Sequence, residues 1–253
     1  MAMDWRSSIG DLTLVCTFIL LDMVLQLLDD FLQLVFPRLC ASCQKYAVSA
    51  KAILCPYCEI EIAITKYHLQ IENDCTMRLD GRTSLHSGTS MYRFYPQGRV
   101  QQMIHRIKYQ RQWDIARRLG LRYGSLLHSS PIYHQVDFVV PVPLHLHKLR
   151  KRGYNQSSAF AQGLAKAMGV DWSDQLLRRV RNTATQTHKT RLERLENVAG
   201  AFELKKSKLL EGRNVLLVDD VLTTGATLEA CIEEVQKANP RSVSFATIAL
   251  AEK

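Results

Sequence analysis

Residues 215–227 read VLLVDDVLTTGAT, and this run limits the fold more than any other part of the chain. A short, wholly apolar strand suits a position buried on both faces, as in a parallel sheet. It ends on two adjacent carboxylates, Asp219 and Asp220. The turn Thr223-Thr224-Gly225-Ala226-Thr227 then opens a helix. Backbone N–H groups at such a helix start form an anion site, which Gly225 lets a ligand approach closely and to which threonine hydroxyls add donors. Two acids beside an anion cradle repel it unless they meet hydroxyls or a cation. A phosphorylated sugar fits that demand, its hydroxyls facing the acids and its phosphate the turn. The plainer alternative is a strand edge with an Asx-type turn and a capped helix. Neither a Walker A lysine nor a GxGxxG run occurs here, which excludes the nucleoside-triphosphate and dinucleotide readings of such a turn.

The rest of the C-terminal part supports an open parallel α/β sheet. Strands are predicted over residues 90–95, 136–142, 214–218 and 242–250, and helices over 155–168 and 227–238. Gly169 and Asn239-Pro240 are natural helix stops. Between the first two strands, Val100, Met103, Ile104 and Ile107 form one helical stripe, and Ile115, Leu119 and Leu126 a second. Strands alternating with helices over residues 90–253 give an α/β architecture. The strand at 136–142 ends in Pro141-Val142-Pro143, after which a loop delivers Lys148, Arg150, Lys151 and Arg152. Four cations there stand where parallel sheets bind ligands. Residues 183–189 lack periodicity and read as a mobile loop, and residues 59–85 have no clean period.

The net charge of +9 favours phosphate-bearing partners. Residues 99–194 hold 18 Lys+Arg against 5 Asp+Glu, and the rest of the chain 15 against 19, so the basic face belongs to the middle. Its bland explanation is a solvated surface. Aromatic residues near it (Tyr92, Phe94, Tyr95, Tyr109, Trp113) are candidates for stacking on bases, with core packing the alternative.

Four of the seven cysteines form two knuckles, Cys40-x2-Cys43 and Cys55-x2-Cys58. Two such knuckles suit a tetrahedral metal, and four thiolates suit a closed structural Zn²⁺ site that can order a module too small to have a core. The alternative is four unrelated buried or redox thiols. Cys16, Cys75 and Cys231 stand alone as core or free thiols, and cysteine usage indicates a reducing compartment, taken here as the cytoplasm. Residues 12–21 are nearly all apolar, but Asp22 stops the run short of the ~20 residues a spanning helix needs, so no transmembrane anchor is expected. Residues 23–36 carry a helical stripe, Leu28, Phe31, Leu32 and Val35, ended by Pro37. Met23 is an alternative start of translation.

The acid pair with its Thr-Thr-Gly turn resembles the 5-phosphoribosyl 1-diphosphate (PRPP) motif of type I phosphoribosyltransferases. With the VPVP, RGxNQ and TxxQ segments and the cysteine knuckles in order over residues 37–250, the chain resembles the ComF family, relatives of ComFC and GntX. After an N-terminal helical segment (1–36) read from its patterning, the resemblance implies a four-cysteine zinc-ribbon-like module (37–66) and a type I phosphoribosyltransferase-like domain (86–253). It implies that Asp219 and Asp220 face the ribose hydroxyls of PRPP or a related ribose 5-phosphate ligand. Thr223, Thr224, Gly225, Ala226 and Thr227 would wrap its 5′-phosphate, and Mg²⁺ would accompany it. The loop after Val140, with Lys148 to Arg152 nearby, would serve the pyrophosphate, and residues 185–189 would form a flexible hood. Gly153, Asn155, Gln156 and Gln186 belong to the family pattern, and the local alternative is helix capping by Asn155 beside a solvated basic turn.

Two functions follow. One is a phosphoribosyltransferase with PRPP and Mg²⁺ in the acid–turn site. The other is a competence factor that grips single-stranded DNA by zinc module and basic face, its PRPP pocket regulatory or vestigial. The resemblance implies a part in DNA uptake, with competence machinery as partner. No GxSxG elbow is present, and no residue is singled out as catalytic.

Overall fold

The computed structural model describes residues 36–180 and 200–252, with positions 23, 24 and 31. Five strands form a wholly parallel sheet in the order β1-β7-β6-β2-β3. They are β1 (Ser87–Phe94), β2 (Phe138–Pro141), β3 (Asp171–Trp172), β6 (Asn214–Leu222) and β7 (Ser242–Ala251). The remaining strands, β4 (Leu177–Arg179) and β5 (Phe202–Leu204), pair antiparallel outside that sheet. They bracket residues 181–199, so the expected hood and Gln186 lie outside the described residues.

The helices follow from the sequence with two shifts. Helix α2 (Asp74–Met77) precedes β1, and helices α3 (Arg99–Tyr109) and α4 (Trp113–His128) link β1 to β2. Val100, Met103, Ile104 and Ile107 of α3 are buried, as their spacing predicts. On α4, Ile115 and Leu126 are only half-buried, and the packed face is Ala116, Leu119, Gly120, Tyr123, Gly124 and Leu127. The second shift is after β2. The four cations expected on a loop lie on a short helix, α5 (Leu146–Arg152), capped by His145 and stopped by Gly153 at φ 81°. Next comes α6 (Gln156–Met168), with Asn155 as N-cap and Gly169 as the left-handed stop. Helix α7 (Ala226–Gln236) follows β6.

The sheet is buried on both faces. Along β6, Leu216 and Val218 join one core with Phe160 and Leu164 of α6, whereas Val215 and Leu217 join another with Leu228, Ile232 and Val235 of α7. Neighbouring strands β2 and β6 therefore send their following helices to opposite faces. Between their C-terminal ends lies the topological switch point, the crevice position at which parallel sheets bind ligands. Among the described residues no helix is long and apolar enough to cross a membrane.

Helices α4 and α6 meet through glycine. A Cβ at Gly163 would lie 2.0 Å from the Arg117 carbonyl oxygen, and one at Gly120 2.2 Å from that of Phe160. Backbone cannot yield as a side-chain tip does. Gly163→Ala should cost about 3 kcal/mol or more and lower the thermal midpoint by roughly 6–12 °C, measured by circular dichroism. An unchanged midpoint would mean the helices can part freely.

Residues 36–62 fold around the cysteines, with helix α1 (Pro56–Glu61) starting on Pro56 at its first turn. Cys40, Ile53, Leu54, Cys55 and Ile62 share one continuous core with α3 and α4. The contacts between them are basic. Arg106 Nη1 donates to the carbonyls of Ala41 (2.8 Å) and Ser42, Arg118 to those of Ala50 (2.9 Å) and Ala52, Arg122 pairs with Glu59, and Arg99 Nε lies 2.9 Å from Glu61. Much of the basic stripe on α3 and α4 thus holds the cysteine segment in place.

Candidate functional site: an acid pair, a threonine-glycine turn and a cysteine cluster

Asp219 and Asp220 stand near the end of β6 on the crevice. Asp219 Oδ1 accepts from Ser157 Oγ at 3.0 Å and from the Asp220 N–H at 2.8 Å. Asp220 is paired with Lys108, the Nζ–Oδ1 distance being 3.0 Å. Burial first, and the neighbouring Asp220 second, raise the Asp219 carboxyl to about 7, while the Asp220 N–H, Lys108 and Ser157 oppose the rise. Lys148 sits among like charges. Its burial, then Arg179, Arg152 and Lys108, lower its pKa, and Asp220 counters them. Lys108, Lys148 and Arg179 thus place positive charge at the acid pair, with Arg152 next to Lys148.

Beyond the acids the chain turns at Thr223 and Thr224 and enters α7 through Gly225 at φ 84°. That conformation favours glycine. The glycine also provides no side-chain cap, so the first-turn N–H groups of α7 are open to an anion. The outer side of the turn is covered. Arg78 Nη1 donates to Thr223 O at 2.6 Å, Arg82 Nη2 to Thr224 O at 2.9 Å, and Arg82 is fixed by Glu229 at 2.8 Å. A Cβ on Gly225 would meet Leu79 Cδ2 at 2.7 Å. The turn's carbonyls thus face guanidinium groups behind it, and Ala226 and Thr227 begin the helix.

The four sulfur atoms of Cys40, Cys43, Cys55 and Cys58 lie within 4.8 Å of one another. Cys43 Sγ and Cys55 Sγ are 3.8 Å apart, matching the edge of about 3.8 Å that Zn–S bonds of about 2.3 Å give in a tetrahedron. The backbone N–H groups of Cys55 and Lys45 point at Cys40 Sγ and Cys43 Sγ (3.3 and 3.5 Å). Burial and the neighbouring thiols raise Cys58 to about 12. Burial also works to raise Cys43, but the Lys45 N–H and the other thiols bring it down to about 7. Four thiolates cannot share this pocket without a cation, so the donor set fits a metal such as zinc.

The Phosphoribosyl transferase domain profile matches residues 155–253. Over 193 residues the chain is 32% identical to the DNA utilization protein YhgH of Salmonella typhimurium, an alignment covering 75% of this chain and 80% of that protein. Competence protein F of Haemophilus influenzae is 33% identical over 139 residues, 53% of this chain and 61% of its own length. Competence protein ComFC of Bacillus subtilis is 28% identical over 218 residues, 83% of each chain. The chain belongs to the ComF family.

The ComF pattern RGxNQ has a local structural account here. Gly153 ends α5, with its N–H on Leu149 O at 2.7 Å. Asn155 accepts from the Ser157 N–H and donates to Val142 O at 3.0 Å, fastening the end of the β2 strand to the start of α6. Arg152 Nη1 donates to the buried Gln156 Oε1 at 2.9 Å and lies 5.3 Å over the Tyr109 ring. Helix capping by Asn155 is thus realised. Of the four cations, Lys148, which feels Asp220, and Arg152 are half-buried, whereas Arg150 and Lys151 are exposed. Among the aromatics, Tyr92 is core, Phe94 is half-buried, and Tyr95, Tyr109 and Trp113 are exposed.

Sequence reasoning passes over four residues of this candidate site: Lys108, Ser157, Arg78 and Arg82. Lys108 had a signal, since it follows Ile104 by four positions and so continues an apolar helix face with a charge. Arg78 and Arg82 come from the aperiodic stretch and had none.

Proposed function

We propose that the crevice between the ends of β2 and β6 binds PRPP, with Asp219 and Asp220 accepting from its ribose hydroxyls and residues 223–227 holding its 5′-phosphate. The observation carrying this reading is the acid pair leading directly into a left-handed Gly225 that opens an uncapped α7. Lys148 and Arg152 supply positive charge for the pyrophosphate, and Mg²⁺ offsets the rest of its charge when bound with it. The pyrophosphate oxygens would be the hard donors such an ion takes. In transfer from PRPP an acceptor nucleophile would form a bond to C1 and lose its proton as the C1–O bond to pyrophosphate breaks, and the chain's part would be positioning and charge stabilisation. Four cysteines hold structural Zn²⁺.

The names of the relatives support a place in DNA utilisation and competence, and the cysteine usage supports the cytoplasm. A grip on single-stranded DNA by the basic face is less favoured, because Arg99, Arg106, Arg118 and Arg122 are engaged with the cysteine segment. Calorimetric titration of PRPP with Mg²⁺ into the full chain should give saturable one-to-one binding that moderate salt leaves measurable. Absence of binding, with DNA affinity that falls steeply with salt, would replace this reading by the nucleic-acid one.

A further inference from the structure

Two adjacent carboxylates in a half-buried crevice need a compensating cation. The chain itself brings one. Lys108 reaches from the last turn of α3 to Asp220, with its side chain 21% exposed and that of Asp220 13% exposed. The helix turn that carries it is anchored through its neighbours. Ile104 and Ile107 are buried in the core beneath it, the Ile107 carbonyl accepts from Tyr154 Oη, and the adjacent Tyr109 ring is covered by Arg152. Lys148 and Arg179 add positive charge around the same acids, and the Lys108 ammonium is in direct contact with Asp220.

We propose that Lys108 is the resident counter-cation of the acid pair and a binding residue of the crevice, so that a ribose 5-phosphate group is held there without a divalent metal ion. The inference rests on the phosphoribosyl reading above and deepens it. Mg²⁺ then belongs to the pyrophosphate arm of PRPP, and a ligand lacking that arm has no use for it. With Lys108 on one carboxylate, the diol can donate to the remaining carboxylate oxygens while the ammonium cancels one of the pair's two negative charges. Removing the ammonium leaves two acids facing each other, and a divalent ion becomes necessary to reunite them with a ligand.

The test is calorimetric titration of ribose 5-phosphate into the zinc-loaded full chain, in buffer freed of Mg²⁺ over chelating resin and again with Mg²⁺ restored. Wild type should bind with affinities within about threefold of each other in the two buffers. Lys108→Gln should lose about tenfold or more without Mg²⁺, as befits a charge-assisted contact, and recover most of it with Mg²⁺. Lys108→Arg should keep metal-free binding. Thermal midpoints check that each variant folds, and the wild-type comparison stands even where a variant fails. Wild-type binding that requires Mg²⁺, or a Lys108→Gln variant equal to wild type in both buffers, overturns the inference while leaving the PRPP site intact. If PRPP with Mg²⁺ also fails to bind, the phosphoribosyl reading falls and takes this one with it.

Discussion

Replacing both acids, Asp219→Asn with Asp220→Asn, should abolish measurable PRPP binding while leaving the fold in place. Each carboxylate that accepts a sugar hydroxyl contributes about 1.5–3 kcal/mol through a charge-assisted hydrogen bond, so losing two weakens binding by about 100-fold or more. The fold should tolerate the change, because burial already raises the Asp219 carboxyl to about 7 and an amide there carries no desolvated charge. Calorimetry with PRPP and a thermal melt measure the two halves of this expectation. Binding retained by the double variant would remove the acids from the site.

The pH dependence separates binding from stability. Ribose hydroxyls donate to an ionised carboxylate, so affinity should rise as pH rises through about 7, where Asp219 gives up its proton. Stability goes the other way. The Asp219 pKa is raised above its ordinary value of 3.8, so between about 4 and 7 the native state holds a proton that the unfolded chain has released. Its stabilising contribution is complete below about 4 and is lost as pH rises through about 7. Urea denaturation at pH 5 and pH 8 should show this loss for wild type, and Asp219→Asn should flatten it.

The parallel core and half of the site were legible because their signals are local. Apolar strands at β2 and β6, the Asn155 and Gly169 ends of α6, and the acids running into Gly225 all lie within short windows. The packed face of α4 was misread for a physical reason. Its contact with α6 runs through Gly120 and Gly124, where the absence of a side chain makes the contact, and an apolar stripe counts only side chains that are present. The basic stripe was read as an outward surface because charge alone does not show which carbonyls a guanidinium will meet. Arg106 and Arg118 meet those of residues 41–52, more than fifty positions upstream. Lys108 belongs with them, since its partner Asp220 is brought near only when α3 packs beside the C-terminal end of the sheet.

Those long-range contacts decide what the cysteines are expected to do. Elemental analysis should find one zinc per chain, and Cys40→Ser should lose it. Structural zinc in small finger peptides binds with an apparent free energy of about 10–16 kcal/mol, most of which is folding free energy of the segment it closes. In this chain the loss should spread further, because Cys40, Ile53, Leu54 and Cys55 share a core with α3 and α4. Once the cysteine segment opens, Arg106 and Arg118 lose their carbonyl acceptors and Arg122 its carboxylate. Limited proteolysis of Cys40→Ser should therefore cut first within residues 36–62, at a temperature well below the melting of the sheet. Helix α3 carries Arg106 on the cysteine segment and Lys108 on Asp220 two residues later. The same variant should consequently bind ribose 5-phosphate more weakly, although Cys40 belongs to the cysteine segment and not to the acid–turn site. A metal-free chain with wild-type melting and an uncut N-terminal segment would defeat the zinc claim, and unchanged ligand affinity in a zinc-free chain would show that α3 keeps its place without the metal.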